Sequence, residues 1–234
     1  MASANDGFGL PQMSEGEMLE RLLSEDPDRT DAEPQIASSI GEQMLLMGLR
    51  TMPRSLRSRI RDIVSRVPLG NAILVGGGIG HLSAWMFDLW CGDPSIPDSA
   101  TGVKPDSFII VEEGARFGVI IDRLIRRYNA ESWSRVIAKP WIEITAEVTS
   151  WSAASASLPS SARPSDIPLP VSLVIIDLPD SDRSVAASSA FEILSPGGII
   201  IVPEPEVPTG DVGFPVAGEE PTEAQSKVIA FNQW

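Results

Sequence analysis

The sequence predicts a doubly wound α/β fold, in which a mostly parallel sheet carries helices on both faces. Short runs of β-branched and aliphatic residues recur from residue 72 onwards, and helical patterns separate them. Runs that are apolar throughout are typical of strands buried on both faces of a sheet. The length supports the same conclusion, because 234 residues suffice for one domain with a substantial core.

The composition excludes several classes of protein. The formal net charge of -14 disfavours nucleic-acid binding, because contacts with phosphate need clustered Lys and Arg. The single cysteine, Cys91, cannot form an internal disulfide, and the N-terminus lacks the basic-then-apolar pattern of a secretion signal. No apolar run approaches the roughly 18 residues of a membrane span. We therefore expect a soluble, cytoplasmic protein that binds neither nucleic acid nor membrane.

The first 70 residues divide into two parts. Residues 1–35 are rich in Asp and Glu and predict an acidic, flexible tail or loosely docked arm with one short amphipathic helix. Residues 36–70 carry apolar side chains at helical spacing and predict two helices ahead of the sheet. The arginines of this part form the basic patch of the sequence, which we interpret as a solvated helix face: Arg54, Arg57, Arg59, Arg61 and Arg66.

Residues 71–234 carry the alternating strand and helix patterns of the sheet domain. Five apolar runs predict strands at 72–76, 107–113, 141–148, 172–178 and 198–204. Two long connections, 91–106 and 150–170, are rich in Pro, Ser and Asp. Loops of this length in a compact domain are typically functional lids or insertions.

The predicted strand ends carry the residues that suggest a ligand site. In an open parallel sheet the ligand lies past the carboxyl ends of the strands. A glycine turn, Gly76 to Gly80, follows the first strand, and each later strand ends in an acid: Glu112, Glu147, Asp177 and Glu204. A glycine turn followed one strand later by a carboxylate is typical of a nucleoside site. The acid can accept hydrogen bonds from both ribose hydroxyls while the glycines admit the rest of the ligand.

From about Gly41 to Trp234 the sequence resembles class I S-adenosylmethionine-dependent methyltransferases, most closely the small catechol and caffeoyl-CoA type of O-methyltransferase. The stretches that carry the resemblance include "ILVGGGIGHLSAW", "FIIVEEGARFGVIIDRLIRRY", "LVIIDLPDSD" and "ILSPGGIIIVPEPEVPTGDV". Their order and number carry the likeness, not any single motif. The resemblance implies a Rossmann-like fold with an N-terminal helical extension, S-adenosyl-L-methionine as cofactor, and methylation of a hydroxyl on a small molecule.

Carried over by position, the resemblance also assigns the residues of the site. It implies that Gly76, Gly78 and Gly80 line the methionine part of the cofactor. Glu112 would then bind the ribose, and Glu147 would face the adenine amino group. Asp177 is the candidate to orient or deprotonate the acceptor hydroxyl, either directly or through a metal. Asp180 is the second candidate catalytic residue, because aminopropyltransferases of the spermidine synthase type have two aspartates that match Asp177 and Asp180 and that deprotonate and hold the amine.

The chain departs from the family at positions that matter for mechanism. The family usually has an acid two residues before the first of these glycines, where this chain has Leu74. Its metal-binding members have a lysine where Asp180 stands, and an Asp-Asn pair where Pro203 and Glu204 stand. The oxygens of Asp177, Asp180 and Glu204 could form a variant magnesium site. The standard set of metal ligands is nevertheless incomplete, which argues against a catalytic divalent metal.

Other interpretations share some of these motifs. Aminopropyltransferases of the spermidine synthase type resemble "LVGGGIG" and the two aspartates, but they carry an acid at Ile79 and an N-terminal β-domain that this chain lacks. A flavin-binding domain would need a glycine at His81. A non-catalytic binding or scaffold protein that keeps the fold is the alternative outside enzymes.

The resemblance leads us to expect a sheet without the last two strands that methyltransferases of this type normally carry. We therefore expect the predicted strand 198–204 to lie at or near an edge of the sheet. The N-terminal segment, the C-terminal residues or a second copy of the chain would have to cover it. A homodimer is the preferred option, because one surface patch can then bury itself twice by two-fold symmetry.

Overall fold

The computed structural model describes residues 32–67, 70–154, 166–203 and 215–232, with Ser14, Gly16, Glu17, Glu20 and Ser24 ahead of them. Its centre is a five-stranded sheet in the order β3-β2-β1-β4-β5, and every neighbouring pair of strands is parallel. The strands are β1 (Asn71–Val75), β2 (Ser107–Val111), β3 (Ser134–Ile137), β4 (Val171–Ile176) and β5 (Leu194–Ile201). The strand order reverses between β1 and β4, which is where open α/β sheets bind ligands.

Helices cover both faces of this sheet. They are α1 (Gln35–Leu46), α2 (Arg54–Val64), α3 (His81–Cys91), α4 (Ala115–Arg127), α5 (Trp141–Ala154), α6 (Asp180–Phe191) and α7 (Glu223–Asn232). Successive strand side chains point to opposite faces, so in β1 Ala72 and Leu74 join one apolar core while Ile73 and Val75 join the other. The first core also takes residues from α1 to α4, and the second from α5 and α6. The predicted doubly wound α/β fold is confirmed.

The prediction of a third strand at residues 141–148 is wrong. Residues 141–148 lie in α5, and the strand that pairs with β2 is the four-residue β3. Trp141, Ile144 and Val148 are all buried in the second core, and their spacing of three and four residues is that of one helix face. The run is rich in β-branched and aromatic residues, and this β propensity hid the helical period.

The arginines predicted to form a basic patch mostly pair with acids of the chain. Asp62 takes both Arg59 and Arg66, and Arg61 pairs with Asp88 at 2.7 Å. Arg57 does not fit the expected solvated face, because it is only 4% exposed. It pairs instead with Glu33, an acid from outside the helix, at 2.7 Å.

Strand β5 forms one edge of the described sheet, since it pairs with β4 alone. Helix α7 packs against α6, which itself contacts β4 and β5. Residues 204–214, which connect β5 towards α7, lie outside the described residues. The expectation that a second copy covers this edge therefore stays a prediction. In the described ranges, no helix combines the length and the apolarity that crossing a membrane requires.

Candidate functional site

The turn after β1 packs tightly against the end of β4 but leaves space at its centre. Gly76 has a φ of +90°, and a Cβ there would lie 2.1 Å from the carbonyl oxygen of Asp177. Only glycine fits such a position. Gly78 has a φ of +51°, and nothing lies within 4 Å of the place its Cβ would take. Gly80, with a φ of +92°, leads into α3. The turn thus offers open space beside bare backbone at Gly78.

Glu112, the residue after β2, spans from this turn to the start of α4. The residue is 9% exposed. Its Oε2 accepts a hydrogen bond from the Gly78 N–H at 2.6 Å, and its Oε1 accepts one from the Gly114 N–H at 2.8 Å. Each carboxylate oxygen offers about two acceptor positions. One position on each oxygen therefore remains for a ligand that carries two neighbouring donors.

A cleft of about 420 Å³ opens beside Glu112 at the carboxyl ends of β1, β2 and β3. This volume lies within the range of roughly 300–1,000 Å³ that is typical of small-molecule sites. The cleft is lined by Val75, Gly76, Val111, Glu112, Glu113, Lys139, Pro140, Trp141, Ile142, Leu178, Asp182, Val185, Ala186 and Ser189. The Trp141 indole is fixed, because its Nε1–H donates to the Ser189 hydroxyl at 2.9 Å and to the Ala186 carbonyl at 3.1 Å. Apolar side chains with a few polar groups among them suit a flat heterocycle.

Asp177 follows β4 and lies under the influence of two buried arginines. Burial raises the pKa of Asp177 to about 6, while the charges of Arg183 and Arg57 act in the opposite direction. Arg183 is held in place by two carbonyls, those of Leu178 at 2.8 Å and Pro203 at 3.1 Å. A carboxyl group that titrates near pH 6 can accept a proton at neutral pH.

A second polar cluster lies on the other side of the glycine turn, where His81 begins α3. Glu33 Oε1 accepts a hydrogen bond from Arg57 Nη2 at 2.7 Å and lies 2.9 Å from His81 Nε2. Arg57 also donates to the Met52 carbonyl, and its guanidinium lies over the Trp85 ring at 5.7 Å from the centroid. Burial lowers the pKa of His81 more than the Glu33 hydrogen bond raises it, which favours the neutral ring.

Solved structures that are similar to this one include cofactor-bound O-methyltransferases. The O-methyltransferase TomG from Streptomyces achromogenes, in complex with S-adenosylmethionine, is 13% identical, with 95% of this chain and 86% of that chain covered and a TM-score of 0.58. An O-methyltransferase from Bacillus cereus, in complex with S-adenosylhomocysteine, is 14% identical, with 86% and 79% covered and a TM-score of 0.54. Cofactor-bound Rv0187 from MTB is 11% identical, with 93% and 81% covered and a TM-score of 0.52. The chain has a methyltransferase fold.

No protein-family model and no curated protein matches the sequence. At identities of 11–14% the likeness to solved structures establishes the fold alone.

The structure corrects the basis of the assignment made for Glu147. That assignment placed Glu147 at the end of a strand, whereas the residue lies within α5. Its side chain is 47% exposed and pairs with Lys139 Nζ at 3.1 Å. Glu147 is not among the residues that line the cleft, but Lys139 is. The β3–α5 turn lines the cleft through Lys139 and Pro140 instead.

Sequence reasoning missed the cleft wall built by Lys139, Pro140, Trp141 and residues of α6. The misplaced third strand explains the omission, because it put the strand end at residue 148, eleven residues after the end of β3 at Ile137. A usable signal was present at Pro140, whose carbonyl accepts the Glu143 and Ile144 N–H groups in the first turn of α5. Proline is favoured at the start of a helix and is unusual inside a central strand.

The described residues do not fit the metal site of the metal-binding family members. Pro203 offers no side-chain ligand, and its carbonyl already accepts a hydrogen bond from Arg183. The positive charges of Arg57 and Arg183 near Asp177 also disfavour a metal cation there. In the ranges that the structure describes, no group of three His, Cys, Asp or Glu residues converges on a possible metal position. The Asp180 side chain and all of Glu204 lie outside the described residues.

Proposed function

We propose that the protein binds S-adenosyl-L-methionine and transfers its methyl group to a hydroxyl of a small molecule. Glu112 carries this proposal: a buried carboxylate at the end of β2, bonded to the Gly78 N–H beside open space, with one acceptor position free on each oxygen. The methyltransferase fold supports it, since similar structures were solved with S-adenosylmethionine or S-adenosylhomocysteine. Because these similar structures are O-methyltransferases with bound cofactor, they do not favour aminopropyl transfer or a scaffold that binds no cofactor.

In this proposal the cofactor crosses the point where the strand order reverses. Its amino-acid end occupies the space at Gly78, within the turn that Gly76 and Gly80 shape. The two ribose hydroxyls donate to Glu112. The adenine enters the cleft, where Ile142 and Val185 present apolar side chains that are 59% and 63% exposed. Covering such side chains with a flat ring removes apolar surface from water and favours binding.

The proposed reaction is a single displacement at carbon. The acceptor oxygen bonds to the methyl carbon while the carbon–sulfur bond breaks, and the electron pair of that bond converts the sulfonium to the thioether of S-adenosylhomocysteine. The hydroxyl proton passes to Asp177, whose pKa of about 6 suits a base at neutral pH. Arg57 and Arg183 favour the ionised form of Asp177. Asp180, at the start of α6, is the second candidate to orient the acceptor. Alignment of oxygen, carbon and sulfur supplies much of the rate.

We further infer a cytoplasmic homodimer with no nucleic-acid or membrane partner. The net charge of -14 and the single cysteine support the cellular location and the absence of these partners. The edge position of β5 supports the dimer, because an unpaired strand edge is a liability for a protein in water.

Calorimetric titration with S-adenosylhomocysteine tests the cofactor proposal. We expect Glu112→Gln to weaken binding by about 1–3 kcal/mol, the scale for losing hydrogen bonds to a charged group. Gly78→Val should abolish binding, because its side chain would fill the open space at the turn. Glu131→Gln, at an exposed position outside the cleft, removes the same charge and serves as the control. No binding to the wild-type protein, or equal affinity in all variants, would contradict the proposal.

A further inference from the structure

Glu33 has one oxygen that is fully engaged and one that is free. Both of its contacts, with Arg57 Nη2 and His81 Nε2, use Oε1. Within the part of the chain that the structure describes, Oε2 has no hydrogen-bond partner. The side chain is only 20% exposed, so water has limited access to Oε2 and does not readily replace such a partner. A carboxylate that is fixed through one oxygen presents the other in a defined direction.

The surroundings of Glu33 keep it charged and contain further buried polar atoms that have no hydrogen-bond partner among the described residues. Burial raises the pKa of Glu33, but the hydrogen bond from His81 and the charge of Arg57 outweigh it, so the pKa lies below its usual value. Arg57 Nε and the Ser83 hydroxyl are buried and lack hydrogen-bond partners among the described residues. Buried polar groups are normally bonded, so such atoms call for an explanation.

This cluster borders the glycine turn directly. His81 follows Gly80, and a Cβ at Gly41 of α1 would lie 3.2 Å from the His81 ring. The chain segment at Glu33, helix α1 and the start of α3 therefore pack as one unit. No side chain caps the first turn of α3 in the described part of the chain. A helix N-terminus of this kind favours an anionic group.

The amino-acid end of the cofactor needs an anion as well as donors. Its α-ammonium loses water on binding and requires a carboxylate or carbonyl in exchange. Glu112 already bonds the turn and faces the ribose position. Asp177 and Glu33 both lie near the charge of Arg57, but burial raises the pKa of Asp177 to about 6, whereas the pKa of Glu33 lies below its usual value, so Glu33 holds its negative charge more firmly. Leu74, two residues before the turn, is apolar and fully buried. Among these acids Glu33 combines a firmly held charge with an oxygen, Oε2, that has no hydrogen-bond partner among the described residues.

We propose that Glu33 Oε2 accepts a hydrogen bond from the α-ammonium of S-adenosylmethionine, with the α-carboxylate directed towards the first turn of α3. The inference rests on the proposed function and adds one residue to it. It makes the segment ahead of α1 part of the cofactor site, so that the cofactor and this segment stabilise one another.

Removing the ammonium from the ligand and the charge from the protein tests this contact in a double cycle. The ligands are S-adenosylhomocysteine and its deaminated analogue, which keeps the α-carboxylate. We expect Glu33→Gln to weaken S-adenosylhomocysteine binding about tenfold or more, the effect of one charge-assisted hydrogen bond. Binding of the deaminated analogue should change less than about twofold. Glu42→Gln removes the same charge from an exposed position of α1 and should change neither affinity.

The outcomes separate this inference from the proposed function. If wild-type protein binds neither ligand, the proposed function fails and this inference fails with it. If S-adenosylhomocysteine binds but Glu33→Gln weakens both ligands equally or neither, only the ammonium contact is refuted. A ligand-dependent loss in Asp177→Asn instead would assign the ammonium to Asp177 and overturn the proposal. Should Glu33→Gln fail to fold, Glu33→Asp keeps the charge but shortens the reach, and it should show the same dependence on the ammonium.

Discussion

Replacing Asp177 with Asn should change how the stability of the protein depends on pH. Burial raises the pKa of Asp177 to about 6 from the ordinary value of 3.8. A carboxyl group with a raised pKa holds its proton more tightly in the folded than in the unfolded state. Its contribution to the free energy of unfolding is therefore most favourable below pH 3.8 and is lost as the pH rises through about 6. Asn does not titrate, so the variant lacks this pH-dependent contribution.

The size of the effect follows from the two pKa values. A difference of about 2 units corresponds to about 3 kcal/mol at 1.36 kcal/mol per unit. Part of this contribution to the free energy of unfolding has already been lost at pH 5. About 1.4 kcal/mol remains to be lost between pH 5 and pH 8. The Asn variant also leaves Arg57 and Arg183 without this counter-charge. The interaction of these arginines with ionised Asp177 is already contained in the pKa of about 6, so its loss adds nothing to the expected pH dependence.

Urea unfolding, followed by tryptophan fluorescence at pH 5, 6, 7 and 8, measures the difference. The free energy of unfolding of Asp177→Asn minus that of the wild type should increase by about 1.4 kcal/mol across this range. Titration of His81 is common to both proteins and cancels. Asp106→Asn, at an exposed position, is the matched control and should show no such increase. A difference for Asp177→Asn that stays constant within about 0.3 kcal/mol would refute the reasoning, because it would mean that burial does not favour the protonated form.

Two further predictions concern ligands and partners. Without substrate, Mg²⁺ or Ca²⁺ should bind weakly or not at all in calorimetry, since Pro203 offers no ligand and arginines lie near Asp177; a divalent ion at full occupancy on Asp177 in a soaked crystal would contradict this. Light scattering at micromolar concentration should show a dimer, since β5 is an edge strand of the described sheet. A monomer whose β5 amides exchange slowly would show that the edge is covered within one chain.

The arrangement of the sheet was predictable because each strand carries its own pattern. β1, β2, β4 and β5 are apolar runs between turn signals, and a parallel sheet with buried faces is the arrangement that suits them. The third strand was not predictable in the same way. β3 has four residues, and Arg135 within it is exposed, so its pattern is weak. The stronger run beside it forms α5, because packing against the sheet overrides β propensity.

The site was predictable where it depends on strand ends. Parallel strands bring their carboxyl ends to one edge, so the glycine turn, Glu112 and Asp177 could be placed together from their positions in the chain alone. The opposite wall could not be placed in this way. Trp141 lines the cleft, and its indole is bonded to Ser189 of α6. That contact joins residues 48 positions apart, and no local pattern encodes it.

Glu33 shows the same limit more sharply, because the feature that sets it apart exists only in the folded chain. In sequence it is one of nine acids within residues 1–35, and composition treats them alike. The fold distinguishes it by bringing Arg57 and His81, 24 and 48 residues away, to the same oxygen. Arg57 is nearly buried, so without Glu33 it would be a desolvated charge with no carboxylate in contact. A buried arginine in a helix that was expected to be solvated therefore requires an acid from outside that helix. That requirement is what connects the acidic segment to the glycine turn.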